Sequence, residues 1–171
     1  MNQPQYHPQY FKATILDWQH LLKPDKYKDI IIQSVNFLVK EKRIELNAFA
    51  IMSNNIHLIW QIQTGHKTEN VQRDFLKYTS QTIIRDLELN HVEVLKVFEV
   101  NLKDRKYQVW QRNPLSIDLW TKEVYIQKME YIHNNPVTAG ICSYPEQYKY
   151  SSAKFYETGK DEFGSVTHWV A

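Results

Sequence analysis

Apolar and polar positions along this chain switch between two periods, and the switches mark its elements. From Phe11 to Trp18 apolar residues alternate loosely, the period of a half-buried strand. Pro24-Asp25 then opens a helical pattern, with Ile30, Ile31, Ser34, Phe37 and Leu38 recurring at threes and fours to about Arg43. Ile44 to Met52 alternates Ile44, Leu46, Ala48 and Ala50 against Glu45, Asn47, Phe49 and Ile51, which predicts a strand. Ser53-Asn54 is turn chemistry, and Ile56 to Ile62 reads as the returning strand of a hairpin. After the break at Gly65-His66, Thr68 stands where a cap opens a second helix. Val71, Phe75, Tyr78, Thr79 and Ile83 take one side, and the helix ends near Leu89-Asn90. Residues 91–106 are mixed and charged and read as an irregular insertion. Tyr107 to Gln111 reads as the next strand, Asn113-Pro114 as a turn, and Ile117 to Trp120 as another short strand. Thr121 caps a third helix carrying Ile126, Met129, Tyr131 and Ile132, with Pro136 closing it. The tail from Ser143 is rich in Tyr and Ser, with weak periodicity.

The order strand, helix, strand, strand, helix, strand, helix predicts the α+β class. Its first six elements match a ferredoxin-like βαββαβ unit: an antiparallel sheet with helices on one face, here followed by a C-terminal helix that bears a tyrosine. No repeat, low-complexity segment or linker interrupts the 171 residues, so one domain over 1–171 is expected. Whether 157–171 packs on the core or extends a dimer is open.

Composition changes this picture little. Hydrophobic residues at 43% and charged residues at 23% are ordinary for a globular chain. Four glycines form no phosphate loop or dinucleotide fingerprint. A net charge of +2 does not by itself argue for nucleic acid, so any basic surface must come from local clustering. One cysteine, Cys142, forms no internal disulfide and fits a reducing compartment, where it reads as a small buried hydrophobe. Met1 to His7 lacks the apolar core of a signal peptide, and no apolar run approaches the ~20 residues of a membrane span. A cytoplasmic protein without a membrane partner is the expectation.

Two polar knots carry the candidate chemistry. The first is Met52-Ser53-Asn54-Asn55-Ile56-His57-Leu58-Ile59-Trp60. On a strand Asn55 and His57 share one face, while Ile56 and Leu58 take the other. A lone strand histidine is more often structural than a ligand, and Asn is a weak ligand through its carbonyl oxygen, though hard ions such as Mg²⁺ accept oxygen. The second knot is Tyr131-Ile132-His133-Asn134-Asn135-Pro136-Val137. Asn135 shares a helix face with Tyr131 if the helix persists that far. A helix tyrosine usually packs; as a nucleophile its phenol must lose a proton held with a pKa of about 10. His133 reads as a ligand, a phosphate contact or a structural donor. Arg73 and Lys77, with Tyr78 beside them, form one basic cluster; Lys103, Arg105, Lys106 and Arg112 form another. Each reads as a solvated face, or as phosphate contacts with a base-stacking ring.

Together the knots resemble the HUH single-tyrosine transposases, in particular the IS200-like and REP-associated tyrosine transposases. The resemblance rests on Met52 to Trp60, on Phe75-Leu76-Lys77-Tyr78-Thr79-Ser80, on Trp110-Gln111-Arg112, on Tyr131 to Gly140 and on Tyr150-Ser151-Ser152-Ala153, in that order over roughly residues 8–156. It implies Tyr131 as the nucleophile that forms a 5′-phosphotyrosine link with cleaved single-stranded DNA. It implies His57, Asn135 and Asn55 around a Mg²⁺ or Mn²⁺ ion, hairpin DNA as partner and a homodimer. Arg73, Lys77, Tyr78, Lys103, Arg105, Arg112 and His133 are the residues expected to touch DNA. Two departures stand out. Ser53 replaces a proline, and Asn55 replaces the first of two metal-binding histidines. The second departure sets two expectations side by side: a metal-assisted nickase, or a domesticated relative that binds a hairpin without cutting it.

Overall fold

The computed structural model describes residues 7–169. Its elements run β1 (Pro8–Thr14), α1 (Asp25–Lys40), β2 (Ile44–Ile51), β3 (Asn55–Ile62), α2 (Thr68–Asn90), the single turn α3 (Val92–Leu95), β4 (Glu99–Leu102), β5 (Arg105–Tyr107), β6 (Leu115–Asp118), α4 (Lys122–Thr138) and α5 (Ala153–Thr158). The class is α+β. Strands β2-β3-β1-β6 form one antiparallel sheet, the order of a ferredoxin-like unit. Helices α1 and α2 cover one face over Phe11, Ile56, Leu58, Trp60 and Phe75. Helix α4 covers the other over Tyr10, Ala48, Ala50 and Ile59.

Alternation along β3 follows the prediction. Ile56, Leu58 and Trp60 enter the α1/α2 core, so Asn55, His57 and Ile59 point toward α4. Alternation along β2 does not hold throughout. A bulge between Leu46 and Ala48 shifts the register, so Ile44 and Leu46 face α1/α2 while Ala48 and Ala50 face α4. The two small residues stand where α4 crosses the sheet.

Four features before α4 depart from the sequence reading. Strand β1 stops at Thr14 because Asp17 and Trp18 take left-handed backbone conformations, φ +53° and +54°. Thr68 begins α2 but does not cap it; its Oγ1 accepts a hydrogen bond from Gln9 Nε2 (3.3 Å). Residues 91–106 are not irregular, since they hold α3 and the β4–β5 hairpin. The fourth strand of the sheet is Leu115–Asp118, not Tyr107 to Gln111. Tyr107 ends β5, and Trp110 makes only an isolated bridge with Ile15 while its ring enters the core.

Helix α4 begins as expected, with Thr121 Oγ1 accepting Val124 N–H (3.2 Å). It does not end at Pro136, which lies inside it. The missing N–H falls in the last turn, and the helix closes four residues on. There Gly140 (φ +75°) donates to Val137 O and Ile141 to Pro136 O, both at 2.9 Å. Asn135 is thereby held on a helix rather than in a turn.

The tail packs on the core. Thr167 N–H bonds Leu46 O (2.8 Å) along the outer edge of β2, Phe163 packs on Phe49 and Tyr150, and Trp169 stacks on Tyr125 at 4.2 Å. No helix among the described residues is long and apolar enough to cross a membrane.

Candidate functional site

Helix α4 lays Lys128, Tyr131 and Asn135 along one stripe, three and four residues apart, over the β1–β3 face of the sheet. Opposite it, His57 sits between cross-strand partners Lys12 on β1 and Ala50 on β2. The chain thus joins residues 78 positions apart: Asn135 Nδ2 donates to His57 Nε2 at 2.9 Å. With the amide set this way the imidazole proton lies on Nδ1, which donates to the Tyr10 hydroxyl 2.8 Å away. Both ring nitrogens are therefore held, and the ring is 2% exposed. The Tyr131 ring stands edge-to-face on it at 5.9 Å, with 51% of the residue exposed to solvent.

Electrostatics fix the state of this group. Burial pushes the His57 pKa down to about 3, and the ammonium groups of Lys12 and Lys128 add to the shift. His57 is neutral at physiological pH. Burial likewise raises the Tyr10 phenol well above its ordinary value, with Tyr131 contributing, so Tyr10 stays protonated. Lys128 Nζ lies 4.9 Å from the centre of the Tyr10 ring and 5.7 Å from that of Tyr131.

Asn55 contributes half a ligand. Its Nδ2 donates to Asn54 Oδ1 (2.7 Å), while its Oδ1 is buried with no hydrogen-bond partner among the described residues. The full donor set is one imidazole, whose lone pair Asn135 occupies, and two neutral amides. No group of three His, Cys, Asp or Glu side chains able to hold a metal occurs among the described residues. The charges that act on His57 among the described residues are the ammonium groups of Lys12 and Lys128. Hard divalent ions need negative oxygen ligands, so this set does not fit a Mg²⁺ or Mn²⁺ ion held by the protein alone.

A second feature lies on the α2 side of the sheet. An open groove of about 690 Å³ runs between α2 and residues 104–114. Arg73, Lys77, Arg105, Lys106 and Arg112 line it, with Tyr107 and Trp110 as aromatic walls. Arg73 and Arg105 pair with neighbouring Asp74 and Asp104, whereas Lys77, Lys106 and Arg112 make no ion pair among the described residues. The Trp110 indole donates to Thr79 Oγ1 (3.1 Å), pinning this wall to α2.

Arg73 and Lys77 from one basic cluster and Arg105 and Arg112 from the other thus share one surface, a juxtaposition the sequence did not indicate. Tyr78 and Lys103 are exposed but do not line the groove. His133 departs from the expected DNA contact. Its Nε2 lies 2.7 Å from the Ser152 hydroxyl, which also accepts Phe49 N–H, and burial pushes its pKa down to about 4. It is a structural link between α4 and the residues before α5. Cys142 is half-buried rather than part of the core.

Lys12, Lys128, Tyr10 and Trp18 were missed in the sequence. Lys128 carried a signal, three residues before Tyr131 on a helix. Lys12 and Tyr10 meet His57 only through the β1–β3 register, which no local pattern encodes. Trp18 is 64% exposed and stands between the two features: the neighbouring Asp17 N–H bonds Gln111 Oε1 from the groove, and Trp18 O accepts Asn54 Nδ2.

No protein-family model matches the chain, and no curated protein matches it in sequence. Solved structures do match. A REP-associated tyrosine transposase bound to a REP hairpin superposes with a TM-score of 0.67 at 14% identity, over 100% of this chain and 99% of that one. A protein described as a transposase of Deinococcus radiodurans R1 superposes with a TM-score of 0.50 at 13% identity, over 78% of this chain and 97% of that one. At these identities the likeness concerns the fold, and the chain has the fold of the REP-associated tyrosine transposases.

Proposed function

We propose that this chain is a transposition-related DNA-binding protein. It takes a DNA hairpin in the groove between α2 and residues 104–114, with the adjoining single strand led to Tyr131. The observation that carries the reading is the pairing of a basic, aromatic-walled groove with an exposed tyrosine seated on a fixed, neutral histidine. Lys77, Lys106 and Arg112, which make no ion pair among the described residues, are cations for duplex phosphates, and Tyr107 offers a ring to an unpaired base. The likeness to a transposase bound to a REP hairpin supports hairpin DNA as the class of ligand.

A second reading rests on Tyr131 itself. Its exposure supports a nickase in which the phenolate would attack a phosphodiester, forming a 5′-phosphotyrosine link and releasing a strand with a free 3′-hydroxyl. In that reading a Mg²⁺ or Mn²⁺ ion would take the free Asn55 Oδ1 and negative charge from the DNA phosphate, and would gain His57 and Asn135 as ligands only if the hydrogen bond between them opened. The ion would polarise the phosphate. His57 and Asn135 hold the geometry on which Tyr131 rests. A homodimer belongs to this reading as well, and sedimentation of the free protein tests it.

The deciding experiment pairs binding with a denaturing-gel adduct assay. Wild type, Tyr131→Phe and Asn55→His are mixed with tailed hairpin oligonucleotides in EDTA or in Mn²⁺. Salt-dependent binding in EDTA is expected for all three, with an adduct strongest in Asn55→His and absent in Tyr131→Phe. Failure of all three to bind hairpin DNA at low salt would sink the proposal.

A further inference from the structure

The charges around Tyr131 are arranged for an anion. Lys12 is the cross-strand partner of His57 and points to the α4 face of the sheet. Lys128 lies one helical turn before Tyr131, with its ammonium close to both the Tyr10 and Tyr131 rings. Neither lysine makes an ion pair among the described residues. Between them His57 is kept uncharged with both nitrogens occupied, so it neither repels nor neutralises an arriving group. The Asn55 and Asn135 amides complete a neutral floor.

We propose that Lys12 and Lys128 make the Tyr131 site a receptor for one phosphodiester of single-stranded DNA, held without a metal ion. This deepens the DNA-binding reading and rests on it. In a cation site the charge would come from carboxylates, and the contacts around His57 include none among the described residues. In an anion site the charge comes from free ammonium groups beside hydrogen-bonding side chains, and both are present. A phosphate oxygen meets the Lys128 ammonium while the adjoining base covers the exposed Tyr131 ring, the pairing of cation and aromatic plane that single-strand binders use. The two lysines come from different elements, β1 and α4. The receptor therefore exists only when α4 is docked on the sheet.

The test uses the whole protein and three fluorescent probes in EDTA: a blunt DNA hairpin, the same hairpin with an oligothymidine tail, and the tail alone. The tail is expected to tighten binding. Lys128→Gln and Lys12→Gln should each abolish about tenfold of that gain, and Lys128→Arg should restore it. The salt slope for the tailed probe should fall by about 0.7 per lost contact. Binding of the blunt hairpin should be unchanged in these variants, which also confirms that they fold. Lys77→Gln in the groove should weaken blunt and tailed hairpins alike. A tail gain that appears only with Mn²⁺, or that survives both lysine substitutions, overturns the proposal while leaving hairpin binding intact. Loss of binding to all three probes at low salt overturns the DNA-binding reading and this inference with it.

Discussion

Two histidines kept neutral by burial make stability depend on pH, and the size of the effect follows from the structure. His57 has its pKa lowered to about 3 and His133 to about 4, from an ordinary value of 6.5. A depressed histidine pKa means that the unfolded chain takes up the proton first. Below pH 6.5 the unfolded state gains protons that the folded state does not bind, so stability falls as pH falls. Each histidine contributes a slope approaching about 1.4 kcal/mol per pH unit. From pH 7 to pH 5 this gives about 2 kcal/mol apiece, or about 4 kcal/mol together, against a total of about 5–15 kcal/mol for an ordinary domain. Asp74 and Asp86 also have lowered pKa values. Their contribution is lost only below the ordinary carboxylate range near 3.8, outside this window.

The assay is urea unfolding followed by tryptophan fluorescence at pH 7, 6 and 5 in constant ionic strength. With a slope of about 2 kcal/mol per molar urea, the midpoint should drop by about 2 M over the range. His57→Gln and His133→Gln should each remove roughly half of the pH dependence, because glutamine accepts a hydrogen bond yet does not titrate. A midpoint that stays flat between pH 7 and pH 5 in the wild type would refute the reasoning. So would a His57→Gln variant with the same pH dependence as the parent.

Three further outcomes are expected. Phe75→Ala removes a fully buried ring that meets Phe11 at 6.4 Å and Trp60 at 5.9 Å; it should cost about 3–5 kcal/mol in chemical denaturation. Thr121→Ala deletes the side-chain cap of α4 and should lower stability by about 1 kcal/mol, seen as a melting shift of about 2–4 °C, whereas Thr121→Ser should restore most of it. Lys77→Gln with Arg112→Gln removes two free cations from the groove and should reduce the slope of log affinity against log salt for a hairpin by about 2, read by fluorescence anisotropy.

Much of the fold was legible because its strongest signals are local. Helix α2 runs Thr68–Asn90, one residue longer at its start than a Thr68 cap predicts and ending where expected, since Val71, Phe75, Thr79 and Ile83 repeat at helical spacing with no breaker among them. The β2–β3 hairpin was legible from two apolar runs around Ser53-Asn54. The fourth strand was not. Tyr107 to Gln111 is more apolar than Leu115–Asp118, yet the shorter segment pairs with β1, through Tyr10 opposite Ile117. Val109 and Trp110 are apolar because they fill the core from a loop, a role that alternation mimics. Pro136 misled for a different reason: a proline in the final turn forfeits one hydrogen bond, and packing of Ile132 and Tyr125 keeps the helix in place. The family resemblance gathered Tyr131, His57 and Asn135, while helix periodicity by itself put only Tyr131 and Asn135 on a shared face. Sequence reasoning missed both lysines of the site, one of which depends on strand register.

The motifs behind the family resemblance do not all mark chemistry. Thr79 of the α2 motif and Trp110 of the next motif are joined by a hydrogen bond that builds the groove wall. His133 and Ser152, from the last two motifs, are joined in the same way, and with Phe49 they seat α4 on β2. These couplings are structural, and they act by placing surfaces. The groove lies on the α2 side of the sheet and Tyr131 on the α4 side. A DNA hairpin in the groove therefore reaches Tyr131 only if its single strand rounds the end of the sheet. Trp18 stands at that end, exposed, its carbonyl accepting from Asn54 Nδ2 while the N–H of neighbouring Asp17 donates to Gln111 Oε1 of the groove wall. The fold thus separates the basic groove from the tyrosine by a full sheet thickness. Asn55 does not line the groove, so a substitution there leaves the groove intact. Hairpin affinity and tyrosine chemistry should consequently change independently: groove substitutions alter the first alone, and Asn55→His alters the second alone. A groove variant that lost hairpin affinity and raised adduct yield on the single strand would contradict that separation.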